Sequence, residues 1–197
     1  MDGYRRGWVA VALEDGRFAS ASVFRDFAEV CAALPGAERI AVDIPIGAGP
    51  READDEARAF VGPRWPSVFP TPPGDIVALD DYSEAVRRHP SLSRQSFALF
   101  RKIREVGECV DGRVIEVHPE VSFRALKGAY LEEPKSTWNG FMERRALLVA
   151  AGIELPDALA AGLPLADVLD AAVAAWSAAR HARGEAQRLG PGPSIWY

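Results

Sequence analysis

Residues 113–123 read RVIEVHPEVSF, and the reading of this stretch decides the class of fold. Val114, Ile115 and Val117 are the β-branched residues a strand prefers, and Pro119 is well placed to open a helix directly behind it. The same run contains Glu116, His118 and Glu120, and burying a carboxylate is costly unless something compensates it. On a strand Glu116 points opposite to Ile115 and Val117, with His118 on its own side. Glu120 is explained as an acid at a helix N-terminus, and His118 as a capping or core group. Glu116 is left without a local reason: either the strand ends in solvent or that group holds something.

Working outward, RGWVAVALED reads as a strand, DGR as a turn, and RFASASVF as the continuation of an antiparallel meander. RDFAEVCAALPG follows as a helix with Asp26 as its N-cap and Pro35-Gly36 as its stop. ERIAVDIPIG is a short apolar run that suits a strand buried on both faces. Helices are expected over 50–61, LDDYSEAVRRH and LSRQSFALFRKIREV, with an irregular, proline-rich GPRWPSVFPTPPGD between the first two. After the RVIEVH strand, TWNGFMERRALLVAAG and PLADVLDAAVAAWSAARHARG read as two closing helices. No internal repeat or dividing linker is present.

The 197 residues form one domain, 1–197, long enough to bury about 70% of the surface of the unfolded chain. At 48% hydrophobic and 26% charged the composition is that of a globular protein rather than a disordered one. No run of 18 apolar residues and no leader pattern is seen, so a cytoplasmic, non-membrane protein is expected. Cys31 and Cys109 lack any CxxC or His-rich neighbourhood, which argues against zinc or a disulfide framework. A formal net charge of −5 excludes general, charge-driven binding to nucleic acid but leaves room for a local basic groove.

Four carboxylates stand where local structure does not require them: Asp2, Asp43, Glu116 and Asp170. Asp43 in AVDIPIG either simply ends a strand and begins a turn, or stands at the carboxyl edge of a sheet where ligands bind in open α/β folds. Asp170 lies in DVLDAAVAAWSAA, which is apolar almost all round, on the flank of a core stripe formed by Leu165, Leu169, Ala172 and Trp176. It is either an exposed acid on an alanine-rich helix or a carboxylate with room for a close neighbour. Asp167, in the first turn, is accounted for by the helix dipole. Acids converging from several elements need their repulsion relieved, and magnesium or manganese does so through hard oxygen ligands. Two such ions about 4 Å apart activate water and stabilise a leaving oxygen in phosphodiester cleavage.

The segments DGYRRGWVAV, AVDIPIG, SVFPTPP, SLSRQSFALFRKIREV, IEVHPEVSF, LDAAVAAWSAAR and the terminal IWY together resemble an uncharacterised prokaryotic family of predicted ribonuclease-H-like nucleases. The resemblance covers essentially the whole chain. It implies an α/β ribonuclease H-like fold: a five-stranded mixed sheet beginning with an antiparallel meander, helices on both faces, and inserted helices before the last strand. By fold-level analogy it puts catalytic, metal-binding acids at Asp2, Asp43 and Asp170, with Glu116 added. One departure is that only Met1 precedes Asp2, so that either the start is annotated too late or the first strand is clipped.

Between Glu84 and Glu105 lie Arg87, Arg88, Arg94, Arg101, Lys102 and Arg104 without an intervening acid. They are read either as a solvated helix face or, with Gln95, Arg58 and Arg64, as a substrate-binding rim above the acids. Trp65, Phe69, Trp138, Trp196 and Tyr197 either stack on bases or, as most such aromatics do, pack in the core or hold the tail down. The sequence thus points to a magnesium- or manganese-dependent nuclease or phosphodiesterase acting on nucleic acid. The alternative is a non-catalytic nucleotide- or anion-binding regulatory module. A phosphotransferase is disfavoured because no glycine-rich phosphate loop is present. The oligomeric state is not legible.

Overall fold

A computed structural model describes residues 1–4, 6–159 and 163–197; Arg5, inside the first of the resembling segments, lies outside them. The chain opens with the expected meander, β1 (Asp2–Tyr4), β2 (Gly7–Glu14) and β3 (Arg17–Phe24), antiparallel in that order. Glu14 pairs with Arg17, so Asp15-Gly16 is a two-residue turn with φ of 49° and 77°. Such a turn needs positive φ at both positions, which an Asp-Gly pair tolerates. Next comes α1 (Phe27–Ala33), capped by the Asp26 carboxylate accepting from the Glu29 amide at 2.8 Å.

β4 (Ile40–Val42) leads into the inserted segment: α2 (Glu52–Val61), a 3-10 turn at Gly62–Ser67, α3 (Gly74–Val77), α4 (Tyr82–Arg88), α5 (Arg94–Ala98) and α6 (Phe100–Cys109). β5 (Val114–Glu116) then pairs in parallel with β4, Val42 opposite Glu116. Pro119 does open a helix, α7 (Pro119–Lys127), followed by α8 (Trp138–Ala150) and α9 (Leu165–Ala182). A short antiparallel hairpin that the sequence did not announce, β6 (Arg188–Leu189) and β7 (Ile195–Trp196), closes the chain, with Trp196 bridging to Val117.

The fold is mixed α/β, but the described strands make three small sheets instead of one of five strands: β1-β2-β3, β4-β5 and β6-β7. The physical reason is length. β1, β4 and β5 have three residues each, and between β1 and β4 the contact reduces to Met1, whose amine donates to Ala41 O at 2.7 Å and whose carbonyl accepts from Asp43 N at 3.1 Å.

Alternation along the strands sorts the core into two sides. Trp8, Ala10, Ile40, Val42 and Val114 pack with Phe27 of α1 and Ile103 and Val106 of α6. Val9 and Val11 pack with Leu169, Ala172 and Val173 of α9, and Ala41, Ile115 and Val117 with Ala174 and Ala178 of the same helix. Helices therefore cover both faces. In α9 the covered arc is wider than the sequence stripe: Asp170, Ala171, Ala174 and Ser177 are buried, whereas Leu165 is exposed. Of the aromatics singled out, Trp65, Phe69 and Trp138 are exposed and do not join the core.

Candidate functional site

The same alternation decides which acids meet. Met1 packs on the α1/α6 side and Gly3 lies against the Lys102 stem, so Asp2 between them turns towards α9. Asp43 follows Val42 and turns the same way, and Asp170 on α9 faces both. Asp2 and Asp170 are buried, and Asp43 is half-buried. Together with Lys135, His118, Arg64 and Glu116 they line one cavity of about 470 Å³, within the range of small-ligand sites.

Electrostatically this is an under-compensated cluster. Burial, then the charges of Asp43 and Asp170, raise the Asp2 carboxyl well above its ordinary value. Burial also raises Asp43, against the opposing charges of His118 and Lys135. Asp170 is pushed up to about 6, chiefly by burial, although Lys135 bonds to its Oδ2 and pulls the other way. Asp167, assigned to the dipole from sequence, is within hydrogen-bonding reach of Asp2, and burial raises it as well. The Met1 amine is lowered to about 6 by its burial, so at neutral pH it is mostly uncharged and Lys135 is the main counter-charge. Burial works against the Lys135 ammonium too, but Asp170, Asp2 and Asp43 hold it above its ordinary value.

Glu116 is placed differently. Being opposite Val42, it turns away from α9, towards the α1/α6 side. There its two oxygens are taken by Arg51, at 2.5 Å from Nη1 and 2.6 Å from Nη2, and by the Ile46 amide at 2.7 Å. Arg51 also bonds Asp54 at 2.5 Å, and Asp54 accepts from the Thr71 amide at 2.7 Å. Burial raises the Glu116 carboxyl while the Arg51 bonds and charge pull it back. With every one of these donors in place, Glu116 is a paired structural acid at the cavity wall, separate from the three that converge. Glu120 is likewise buried and paired, with Arg144 Nη2 at 2.7 and 2.8 Å from its oxygens.

The four substrate-binding expectations divide. Arg64 and Gln95 line the cavity, Gln95 at its exposed rim. Arg58 braces the loop by donating from Nε to Val68 O at 3.0 Å. Lys102 is tied to the meander by a bond to Gly7 O at 2.8 Å and lies over the Trp8 ring. The basic run does not form a rim: Arg88 pairs with Glu84, Arg101 with Glu105, and Arg104 with Asp80, all on the surface beside α4 and α6. Arg87, Arg88, Arg94 and Arg101 are exposed, whereas Lys102 and Arg104 are partly buried. Sequence reasoning missed Lys135 and Arg51. A signal existed for Arg51, since a cation at the N-cap of α2, ahead of Glu52, Asp54 and Asp55, opposes the helix dipole. Lys135 stands in EEPKST without any comparable anomaly.

Among the described residues no group of three or more His, Cys, Asp or Glu side chains is disposed to hold one ion as it stands, and none of the helices is long and apolar enough to cross a membrane. A family model described as a protein of unknown function (DUF429) matches residues 1–194, so the chain belongs to that family. No curated protein and no solved structure matches it significantly.

Proposed function

We propose that this DUF429 protein is a magnesium- or manganese-dependent nuclease or phosphodiesterase on a ribonuclease H-like fold, with Asp2, Asp43 and Asp170 as the metal-binding acids. The observation that supports it is the cluster itself: three carboxylates from β1, the end of β4 and α9, each raised by burial, with the charge of Asp43 raising Asp2 and Asp170 further, in a ligand-sized cavity. Perturbed acids of this kind in a cleft mark functional sites. The donor set is all hard oxygen, which suits magnesium or manganese over zinc. Such an ion, when bound, polarises a phosphoryl oxygen and lowers the pKa of a bound water. This chain's own part is to hold the acids apart on three rigid elements, and to release Asp170 Oδ2 from Lys135 for ligation. The five-stranded reading is supported by the two Met1 backbone bonds, which join the residue before β1 to β4, a link that in a continuous sheet would give the order 3-2-1-4-5.

One observation favours the alternative, a non-catalytic nucleotide- or anion-binding module: Lys135 already neutralises Asp170, and no three ligands among the described residues are preset around an ion. Hydrolysis of bis(4-nitrophenyl) phosphate and of labelled single-stranded DNA and RNA, with magnesium or manganese, separates the two. Asp43→Asn and Asp170→Asn are expected to lower a metal-dependent rate by about a thousandfold or more while the fold persists, because each removes a charge needed at the reacting centre. A wild type that cleaves none of the three substrates with either metal defeats the hydrolase reading.

A further inference from the structure

We infer that Arg64 and His118 form a second element of the cleft, an anion subsite that takes the non-bridging oxygens of a phosphoester. The choice of anion rests on the phosphoester reading of the acids. Four arginines have a buried Nε with no hydrogen-bond partner among the described residues: Arg64, Arg124, Arg144 and Arg180. Three of them are accounted for by what else they do. Arg124 lies over the Phe60 ring, Arg180 lies over Trp176 and donates to Glu185 O, and Arg144 holds Glu120 and two carbonyls. Among the described residues the Arg64 side chain has no hydrogen bond and lies over no ring. Its nearest acid oxygen, on Glu120, stands 3.8 Å away and is already bonded to Arg144. A buried guanidinium Nε–H left without a partner costs free energy unless a ligand uses it.

His118 lines the same cavity and has the matching defect. Its Nε2 is 3.2 Å from Ser67 O, a carbonyl that only accepts, so Nε2 bears a hydrogen, and Nδ1 is left buried and without a partner; Nδ1 accepts in the neutral ring and offers a hydrogen to an anion only in the imidazolium, where both nitrogens donate. The two residues are joined through one turn. Ser67 Oγ donates to Arg64 O at 2.8 Å, and Arg58 fixes Val68 O behind it. Gly62 begins this turn at φ 56°, where a Cβ would meet the Tyr130 ring at 2.5 Å, and Pro63 and Pro66 stiffen it. The backbone that carries Arg64 is therefore held in place before any ligand arrives. An arginine fork fits the paired oxygens of a phosphate, and a phosphate also has further oxygens free to face a cation held by the acids.

The test is calorimetric titration of the full chain with inorganic phosphate, in magnesium and again in EDTA. Wild type, Arg64→Ala, Arg64→Lys and His118→Asn are compared, with thermal midpoints as the folding control. Phosphate is expected to bind in at least one solution, with affinity about tenfold or more weaker in Arg64→Ala and less reduced in Arg64→Lys, which keeps charge but loses the fork. His118→Asn is expected to weaken binding by a smaller factor. A wild type that binds no phosphate in either solution, or a folded Arg64→Ala or Arg64→Lys that binds like wild type, overturns the subsite. Binding is read without turnover, so Arg64-dependent binding in a protein that hydrolyses no diester keeps the subsite and removes only the hydrolase reading.

Discussion

Glu116 and Asp170 are buried to nearly the same degree, at 5% and 1% exposure, and line the same cavity, yet their surroundings differ in kind. Glu116 is met by a two-pronged Arg51, a backbone amide and, one residue removed, Asp54 and Thr71. Asp170 is met by one lysine that is 40% exposed at its side chain, and by two more acids. Both acids have lost water, but only the first has recovered it in hydrogen bonds. A satisfied buried ion pair is a structural device, whereas acids kept together with too little compensation represent free energy stored for a ligand.

The largest expected effect breaks the satisfied side. Arg51→Met strips Glu116 and Asp54 of their cation in a buried setting, and denaturant unfolding should show a loss of about 3–5 kcal/mol. A loss under 1 kcal/mol would mean that the Glu116 network is not the structural half of the pair.

On the other side the sign reverses. Well below the ordinary value of 3.8 the Asp170 carboxyl is protonated in both folded and unfolded chains, and it adds nothing to the pH dependence. Between the ordinary value of 3.8 and the folded value of about 6 the unfolded chain gives up the proton while the folded one retains it, so stability falls as pH rises through that window. Asp170→Asn, measured in EDTA at pH 7, should therefore be more stable than wild type by about 1–3 kcal/mol and should flatten the fall between pH 4 and 6. A destabilised variant with an unchanged pH slope would contradict the contrast.

The smallest effect concerns Lys135. Its partial exposure screens it, so Lys135→Met should cost about 1 kcal/mol in EDTA, less than a buried pair would, and magnesium should restore much of the loss. Equal losses with and without magnesium would assign Lys135 a packing role only.

How far the sequence reaches follows the same division. Elements set by neighbours in the chain were legible: the Asp15-Gly16 hairpin, the Asp26 cap, the Pro119 helix start and the inserted helices before β5. Asp2, Asp43 and Asp170 stood out because nothing local explained them. What was illegible depends on distance in the chain. Arg51 and Glu116 are 65 residues apart, and Lys135 and Asp170 are 35 apart. The side to which Glu116 turns follows from its pairing with Val42, a register that one strand cannot announce. The single broad sheet was expected from whole-chain resemblance, but three-residue strands leave few ladder bonds to join the meander to β4 and β5.

The most direct measurement is a calorimetric titration of manganese into wild type, Asp170→Asn and Glu116→Gln at pH 7. If the under-compensated acids are the cation site, wild type binds manganese, Asp170→Asn loses that binding, and Glu116→Gln, where it folds, retains it. No binding to wild type, or binding that survives Asp170→Asn but disappears with Glu116→Gln, would contradict the division between the two acids.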